Sequence, residues 1–528
     1  MMKKIFLAVF AVASAMPAAA QDTYENARLL GGDLNGTARY VGMGGALDAL
    51  GADISTISTN PAGIGMFRHS TVSLSLGVVS QQDAVKFDNL GKTNVSFDQV
   101  GFVYSMPSGR QSFLNFAFNY HKSRNFDQLL SAANRLEATS MNKLAYEKSE
   151  LGSDANGGYA LDFNEQGDVM GYRDNVSNER AWQYTQWDYL TFNTFSYNAT
   201  DNEKVYAEAD AYNFDRAHRG WIADYDFNVS GNLNNRVYLG LTVGFHDVNY
   251  KGYSQYSEGI VTADGRDGGV LTLEDERHID GTGFDIKAGA IFRPFEESPF
   301  RLGVSIATPT WYDLTSSSAT TLYNNTNPDI YNWGNDKGSN SESYEFKYYT
   351  PWKFGLSAGH TIGSDLALGL SYEYAAYGSS DTRVNTGYVD AYGYEESCSD
   401  ETMNANTEVS LKGVHTLKLG AEYKPTPETA IRLGYNYVSP MYQETGVRDT
   451  YLNSIGNMYS STADYTNWKG TNRLTCGFGY RYQQLNLDLA YQYSTVSGQF
   501  HPFQAEGAVA TDVSNKRHQV LFTIGYTF

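Results

Sequence analysis

The chain has 528 residues, with 59 acidic against 39 basic side chains and a formal net charge of −20; acidity on this scale argues against a nucleic-acid partner, whose phosphates need a basic surface. Aromatic residues make up 14% of the chain, with 41 Tyr and 51 Gly, a bias common where strands meet a membrane interface. Beyond the first 20 residues no stretch approaches the roughly 18 consecutive apolar residues of a membrane-crossing helix, so any span must be made of strands.

Residues 1–20 read as a secretory signal peptide. Lys3 and Lys4 supply the positive start, Ile5 to Ala15 the apolar run, and Ala18-x-Ala20 a small-residue cleavage site. No Cys follows the cut, so no lipid anchor is expected there. Residues 21–70 do not read as strand. Met43, Leu47 and Leu50, with Ala46 beside them, make a weak helical stripe broken by Gly42, Gly44 and Gly45. Each glycine costs a helix about 1 kcal/mol relative to Ala, and close approach to a surrounding wall is the reason expected. "STNPAGIGM" then turns at Asn60-Pro61-Ala62-Gly63, because Pro fixes its own φ and pushes the preceding residue to an extended form. Such a segment cannot bury itself. It is expected to be a plug, or hatch, inside a barrel, with Asn60, Pro61, Ala62, Gly63, Gly44 and Gly45 as its holding and gating residues.

From residue 71 onward the dominant signal has period two. In "LNLDLAYQY" Leu485, Leu487, Leu489, Tyr491 and Tyr493 alternate with Asn486, Asp488, Ala490 and Gln492. "DLALGLSYEY" and "HTLKLGAEY" repeat the pattern. Segments of this kind lie near 71–80, 98–107, 111–121, 219–231, 235–249, 281–293, 298–309, 345–360, 364–378, 413–424, 428–439, 470–483, 485–498 and 516–528. Short turns (108–110, 232–235, 294–298, 361–364, 424–428) alternate with long loops (122–218, 250–280, 310–344, 379–412, 440–469, 499–515). That alternation is expected of an all-β fold, a transmembrane antiparallel β-barrel of about 14 strands over 71–528, with both termini in the periplasm. By phase Asp224, Asp226, Asp285, Lys287, Arg293, Arg301, Lys353, Glu373, Lys418, Glu422, Arg432, Arg473, Arg481 and Asp488 point inward. The final segment puts Val520, Phe522, Ile524, Tyr526 and Phe528 on one face, which resembles the assembly signal of outer-membrane barrels.

The loop at 122–218 contains a run that looks helical, "FDQLLSAANRLEATSMNKLAYEK". Phe126, Leu129, Leu130, Ala133, Leu136 and Leu144 fall within reach of one apolar face, a capture groove for a hydrophobic ligand, a lid or a partner contact. In "TADGRDGGVLTLEDE", Asp264, Asp267, Glu274, Asp275 and Glu276 do not match calcium-loop spacing and read as a solvated acidic loop. The nine His (residues 69, 121, 218, 246, 278, 360, 415, 501 and 518) are scattered, with no pair at metal-ligand spacing, and no Gly-x-Ser-x-Gly elbow appears. No enzyme activity, cofactor or metal is expected. Cys398, placed in a loop, and Cys476, placed in a strand, are expected to be unpaired thiols rather than a disulfide.

The stretch from Gly36 to Ala46, then Asp53 and Asn60-Pro61-Ala62-Gly63, resembles the N-terminal hatch of the FadL/TodX-type outer-membrane transporters. With the strand count and the terminal Phe528 the resemblance covers essentially the whole mature chain. It implies a fourteen-stranded barrel in the bacterial outer membrane and passive uptake of hydrophobic small molecules, such as long-chain fatty acids or aromatic hydrocarbons. In that family these bind inside the barrel and leave sideways into the membrane. The partners implied are a hydrophobic ligand, outer-membrane lipid and lipopolysaccharide, and the barrel-assembly machinery. Two features depart from the family pattern: "QSFLNFAFNYH" carries no Gly or Pro to kink the third strand, and the loop 122–218 is very long. A general porin, a surface adhesin or structural barrel, and a haem receptor are the alternative readings.

Overall fold

The computed structural model describes residues 22–151, 159–163, 169–174, 178–179, 181–198, 203–331, 334–391, 393 and 395–528. The expected signal peptide, residues 1–20, lies outside them. Fourteen antiparallel strands form the wall: β1 Thr71–Gln81, β2 Thr93–Pro107, β3 Phe113–Asn125, β4 Glu208–Leu233, β5 Val237–Val261, β6 Asp267–Phe292, β7 Arg301–Ala307, β8 Lys353–Ile362, β9 Leu366–Ala376, β10 Gly413–Tyr423, β11 Thr429–Val438, β12 Thr471–Tyr482, β13 Leu485–His501 and β14 Thr511–Thr527. Each pairs with the next in the chain, and β14 closes on β1 from Thr71↔Thr527 to Gln81↔Arg517. The backbone N–H of Phe528 donates to Ser70 O at 2.9 Å and completes the seam.

Alternation decides which face is which. Phe102, Phe227, Leu241, Val304, Leu356, Leu419, Leu433, Phe478, Leu489 and Phe522 are exposed on the outside, whereas Asp226, Lys287, Lys418 and Arg432 are buried on the inside. A closed wall that exposes an apolar belt and buries charge is suited to lipid, where every backbone group must be satisfied within the barrel. No helix among the described residues is long and apolar enough to cross a membrane; the spans are the strands.

The connections depart from the expected short–long alternation. Residues 250–280 are not a loop. β5 and β6 run for 25 and 26 residues and stay paired to a tight tip at 262–266. At about 3.4 Å per residue that is roughly 85 Å, so the hairpin stands well clear of any bilayer. The acidic residues expected in a solvated loop lie instead at its tip (Asp264, Asp267) and along β6, where Asp275 is buried and accepts from Thr320 Oγ1 at 2.9 Å.

The strand expected over 345–360 is divided. Pro309 and Pro351, in matching Thr-Pro steps, interrupt the ladder because neither has an N–H to donate. Beyond them Trp311–Thr326 and Lys337–Tyr349 form an outer sheet on the upper half of β6. The helical expectation for 126–148 is half right. Gln128–Thr139 is a strand paired to the outer half of β4, and only Met141–Glu150 is helix, capped by Ser140 Oγ accepting from Lys143 N at 3.0 Å. An available strand edge outweighs a helical stripe of this strength. These outer elements enclose their own core, with Trp187, Phe192, Phe195, Phe500 and Phe503 fully buried. Cys398 lies in the short strand Glu395–Ser399 and Cys476 on the outward face of β12; both are exposed and unpaired.

Candidate functional site: the filled lumen

A barrel of fourteen strands is too wide for its own side chains to fill. Residues 22–66 occupy the space. They form short helical turns (Thr23–Asn26, Ala38–Gly42, Ile54–Ser58, Pro61–Met66) joined by bends, and most of their side chains are buried. Contacts reach the wall on every side. Ala38 N donates to Thr523 Oγ1 of β14 at 2.7 Å, Asn115 Nδ2 of β3 to Ile64 O at 2.7 Å, Thr242 Oγ1 of β5 to Ile57 O at 2.9 Å, and Thr475 Oγ1 of β12 to Gly42 O at 3.2 Å. Arg39 Nε meets Glu422 Oε2 of β10 at 3.1 Å, and Arg432 holds the same carboxylate at 2.6 Å while reaching Asp488 at 2.6 Å.

Glycines on the wall make room for this segment. Eight adjacent strands, β5 to β12, each carry an inward glycine (Gly240, Gly289, Gly303, Gly359, Gly369, Gly420, Gly434, Gly477) in contact with residues 42–62. Two notches result. In one, a Cβ on Gly289 would overlap Asn60 Oδ1 and a Cβ on Gly240 would overlap the Pro61 carbonyl. Asn60 caps the turn there, its Oδ1 accepting from Ala62 N at 3.2 Å, and Ala62 and Gly63 are buried behind it. In the other, the backbone of Met43, Gly44 and Ala46 lies against Gly369, Gly420 and Gly434. Gly44 has φ +62°, and a Cβ on it would sit 2.8 Å from Tyr435 N. Of the glycines expected to mark close approach to a wall, Gly42 and Gly44 do meet one, whereas a Cβ on Gly45 would meet Leu34 and Tyr40 of the segment itself; the partners on the wall were legible only as the small members of alternating strands.

Towards the end with the long connections a cavity of about 410 Å³ opens over the segment. Its lining is amphipathic. Leu29, Leu30, Phe126, Tyr377, Tyr442 and Trp468 give the apolar part, and Arg28, Arg124, Arg473 and Arg517 the charged part. Arg28 Nη1 donates to Tyr250 OH at 2.8 Å, and Arg124 donates to Leu30 O. Arg473 and Arg517 stand 3.7 Å and 4.0 Å from Asp33. Burial alone would raise the Asp33 carboxyl, but Arg517, Arg473 and Arg124 outweigh it and hold it below the ordinary carboxylate range.

At one side the cavity reaches Asp98, His121 and Ser123, where the wall is interrupted. β2 and β3 pair from Pro107↔Phe113 only as far as Gln99↔His121. Asp98 is an extra residue in the β1–β2 ladder, a bulge between Ser75 and Leu76, so that Asp98 and Gln99 both face inward. Beyond it β2 continues paired only to β1, and β3 shifts register against β4 between Lys122 and Arg124. Side chains span the break. Lys122 Nζ donates to Ser96 Oγ at 2.8 Å, and Asn35 donates from Nδ2 to Asp98 Oδ1 at 2.9 Å and to Lys122 O at 2.9 Å. The absence of Gly or Pro from β3 concealed this opening, because the irregularity that makes it sits in β2.

The four residues expected to share an outer apolar face do not share one. Phe126 packs edge-on against Tyr250 at 5.2 Å, Leu129 lies with Leu90 and Ala217, and Leu130 and Leu136 belong to the outer core. All four are buried, and their helix was mostly strand. Tyr526 and Phe528 lie where phase put them, on the outside at the end of β14, with their rings 5.1 Å apart.

The fold and lumen therefore define a transmembrane β-barrel whose channel is occupied by its own N-terminal segment. No family model and no curated protein matches the chain. Among solved structures it is similar to the toluene transporter TodX of P. putida (12% identity, 94% of this chain and 99% of that one, TM-score 0.47). It is also similar to the toluene transporter TbuX of Ralstonia pickettii (12%, 94% and 99%, 0.46) and to a Pseudomonas aeruginosa FadL homologue (12%, 94% and 99%, 0.48). The barrel assignment itself rests on the strand pairing.

Proposed function

We propose that the chain is an outer-membrane channel for passive uptake of hydrophobic small molecules carrying a polar or acidic end, such as long-chain fatty acids, gated by residues 21–70 as a hatch. The observation that carries this reading is the continuity of the cavity with the break between β2 and β3. A ligand enters among the long connections on the outer side, lays its apolar part against Leu29, Leu30 and Tyr442, and sets its polar end near Arg28 or Arg124. Burial of an alkyl chain supplies about 0.8 kcal/mol per CH₂, so no energy source is needed to draw it in. Asn35 ties the hatch to both lips of the break, so movement of the hatch and exposure of a sideways exit are one event. Both termini lie in the periplasm, and Tyr526 and Phe528 are the signal read by the barrel-assembly machinery.

The test is uptake of a labelled fatty acid by cells carrying the full chain or the Asn35→Ala variant, beside planar-bilayer conductance of each purified protein. The expected result is low conductance for the full chain and saturable uptake that Asn35→Ala changes by several-fold. A full chain that conducts like a water-filled pore and shows no saturable uptake overturns the reading in favour of a general porin.

A further inference from the structure

The inward faces of β3, β4, β5 and β6 bring together a group that transport of a hydrophobic ligand does not use. His121, Asp224, Asp226, His246, Asp285 and Lys287 are all more than nine-tenths buried, with Asp226 at 0% exposure. The pairs within it are of two kinds. His246 Nδ1 is 2.8 Å from Asp224 Oδ1, and Ser123 Oγ donates to the same oxygen at 2.7 Å. Lys287 Nζ is 3.0 Å from Asp226 Oδ1 and 2.9 Å from Asp285 Oδ1. His246 Nε2 faces Asp285 Oδ2 at 3.1 Å. These contacts use one oxygen of each of Asp224 and Asp226 and aim the other oxygen at His121.

There the spacing changes. His121 Nε2 is 3.8 Å from Asp224 Oδ2, and His121 Nδ1 is 3.6 Å from Asp226 Oδ2. Among the described residues Asp226 Oδ2 is buried with no hydrogen-bond partner. An imidazolium between two carboxylates would close to charge-assisted bonds of about 2.7–2.9 Å. One donor atom from each of His121, Asp224 and Asp226 instead lies within 4.8 Å of the others. An ion with bonds of about 2.0–2.2 Å sets its ligand atoms roughly 3–4 Å apart, so small side-chain rotations close the site. Charge points the same way. His246, whose two ring nitrogens face carboxylate oxygens at 2.8 Å and 3.1 Å, is set as an imidazolium with a proton on each. With Lys287 it leaves one negative charge on the three buried carboxylates, and a buried charge must be compensated, here by a cation at His121.

The geometry points to a divalent transition-metal site formed by His121, Asp224 and Asp226, with His246 and Lys287 as positioning residues that hold the other carboxylate oxygens. One imidazole with two carboxylates suits Zn²⁺, Co²⁺ or Mn²⁺ better than Mg²⁺ or Ca²⁺, which prefer oxygen alone. The ion enters from the cavity, whose lining includes His121 and Asp224. It ties β3 to β4 at the last residue of β3 that still pairs with β2.

The test uses the full chain, purified in detergent and stripped with a chelator, and Zn²⁺ or Co²⁺ alone as the probe. Calorimetry should show one saturable Zn²⁺ site, and Co²⁺ should give visible bands distinct from those of the aqueous ion. Asp226→Asn and His121→Gln, each checked for heat-modifiable folded barrel, should weaken binding by about tenfold or more; His415→Gln, on the outer face, should not. The wild-type measurement stands alone should a variant fail to fold. Absence of a saturable site in the wild type, or equal binding by the wild type and the His121→Gln/Asp226→Asn double variant, overturns the assignment. Equal binding would place the ion on the exposed acidic loops, and no binding would mean that His121 neutralises the remaining carboxylate charge by taking up a proton.

Discussion

At the scale of single residues, the lumen is built by subtraction. Gly289 and Gly240 give up their side chains to the Asn60-Pro61 turn, so the turn seats against bare backbone. Gly289→Val should unseat it. The barrel should still fold, because the new side chain projects into the lumen and not into the apolar belt. Conductance in planar bilayers should rise, and a cysteine placed at Ser58 should label faster than in the parent. Asn60→Ala removes the cap and should act more mildly, since a lost cap costs about 1 kcal/mol. Unchanged conductance and labelling in Gly289→Val would show that the turn is not held by this notch.

Elements show what period two can and cannot reveal. All fourteen barrel strands were legible because lipid and lumen impose opposite chemistry on alternate residues, as Leu417, Leu419 and Lys418, Glu422 do on β10. That logic stops where lipid stops. In β5 and β6 beyond about residue 250 both faces meet water or protein, the alternation fades, and a paired hairpin read as loop. Gln128–Thr139 read as helix because its partner, the edge of β4, lies 70 to 90 residues away in sequence, from Thr139↔Ala209 to Gln128↔His218. The bulge at Asp98 was equally hidden, since one extra inward residue leaves no compositional mark. Two predictions belong at this scale. A short thiol cross-link between Ser96→Cys and Lys122→Cys, in a background with Cys398 and Cys476 replaced by Ser, should pin β2 to β3. Fatty-acid uptake should fall several-fold and recover on reduction; uptake indifferent to the cross-link would exclude exit through this break. In the outer core, Lys148 and Asp188 form a buried ion pair at 2.5 Å. Removing one partner of such a pair leaves a buried charge and costs about 3–5 kcal/mol. Asp188→Ala should therefore open the outer elements to protease while the heat-modifiable barrel remains. Resistance equal to the parent would show that the pair contributes nothing to that core.

For the whole molecule the question is whether the N-terminal segment is structural filling or a removable stopper. Its anchors are strong at both ends, where Arg39, Glu422, Arg432 and Asp488 form one ion network and Asp22 and Glu25 pair with Arg448 and Arg277 in another, and lighter between them around the break, where Asn35 spans two strands with one amide group. A segment fixed at both ends and lightly held between them can shift at the break without leaving the barrel, and local openings of this kind cost far less than global unfolding. Excising residues 22–66 while keeping residues 1–21 and the wall should leave a folded barrel, because strand pairing from β1 to β14 closes without them. The product should conduct as a wide, unselective pore and lose saturable fatty-acid uptake. Orientation can be read in the same strains: Gly265→Cys, at the hairpin tip, should label from outside intact cells, and Glu296→Cys, in a short turn, only after lysis. Labelling of both from outside would reverse or abolish the proposed topology. A deletion variant that folds, labels correctly and conducts no more than the parent would mean that something other than residues 22–66 closes the channel.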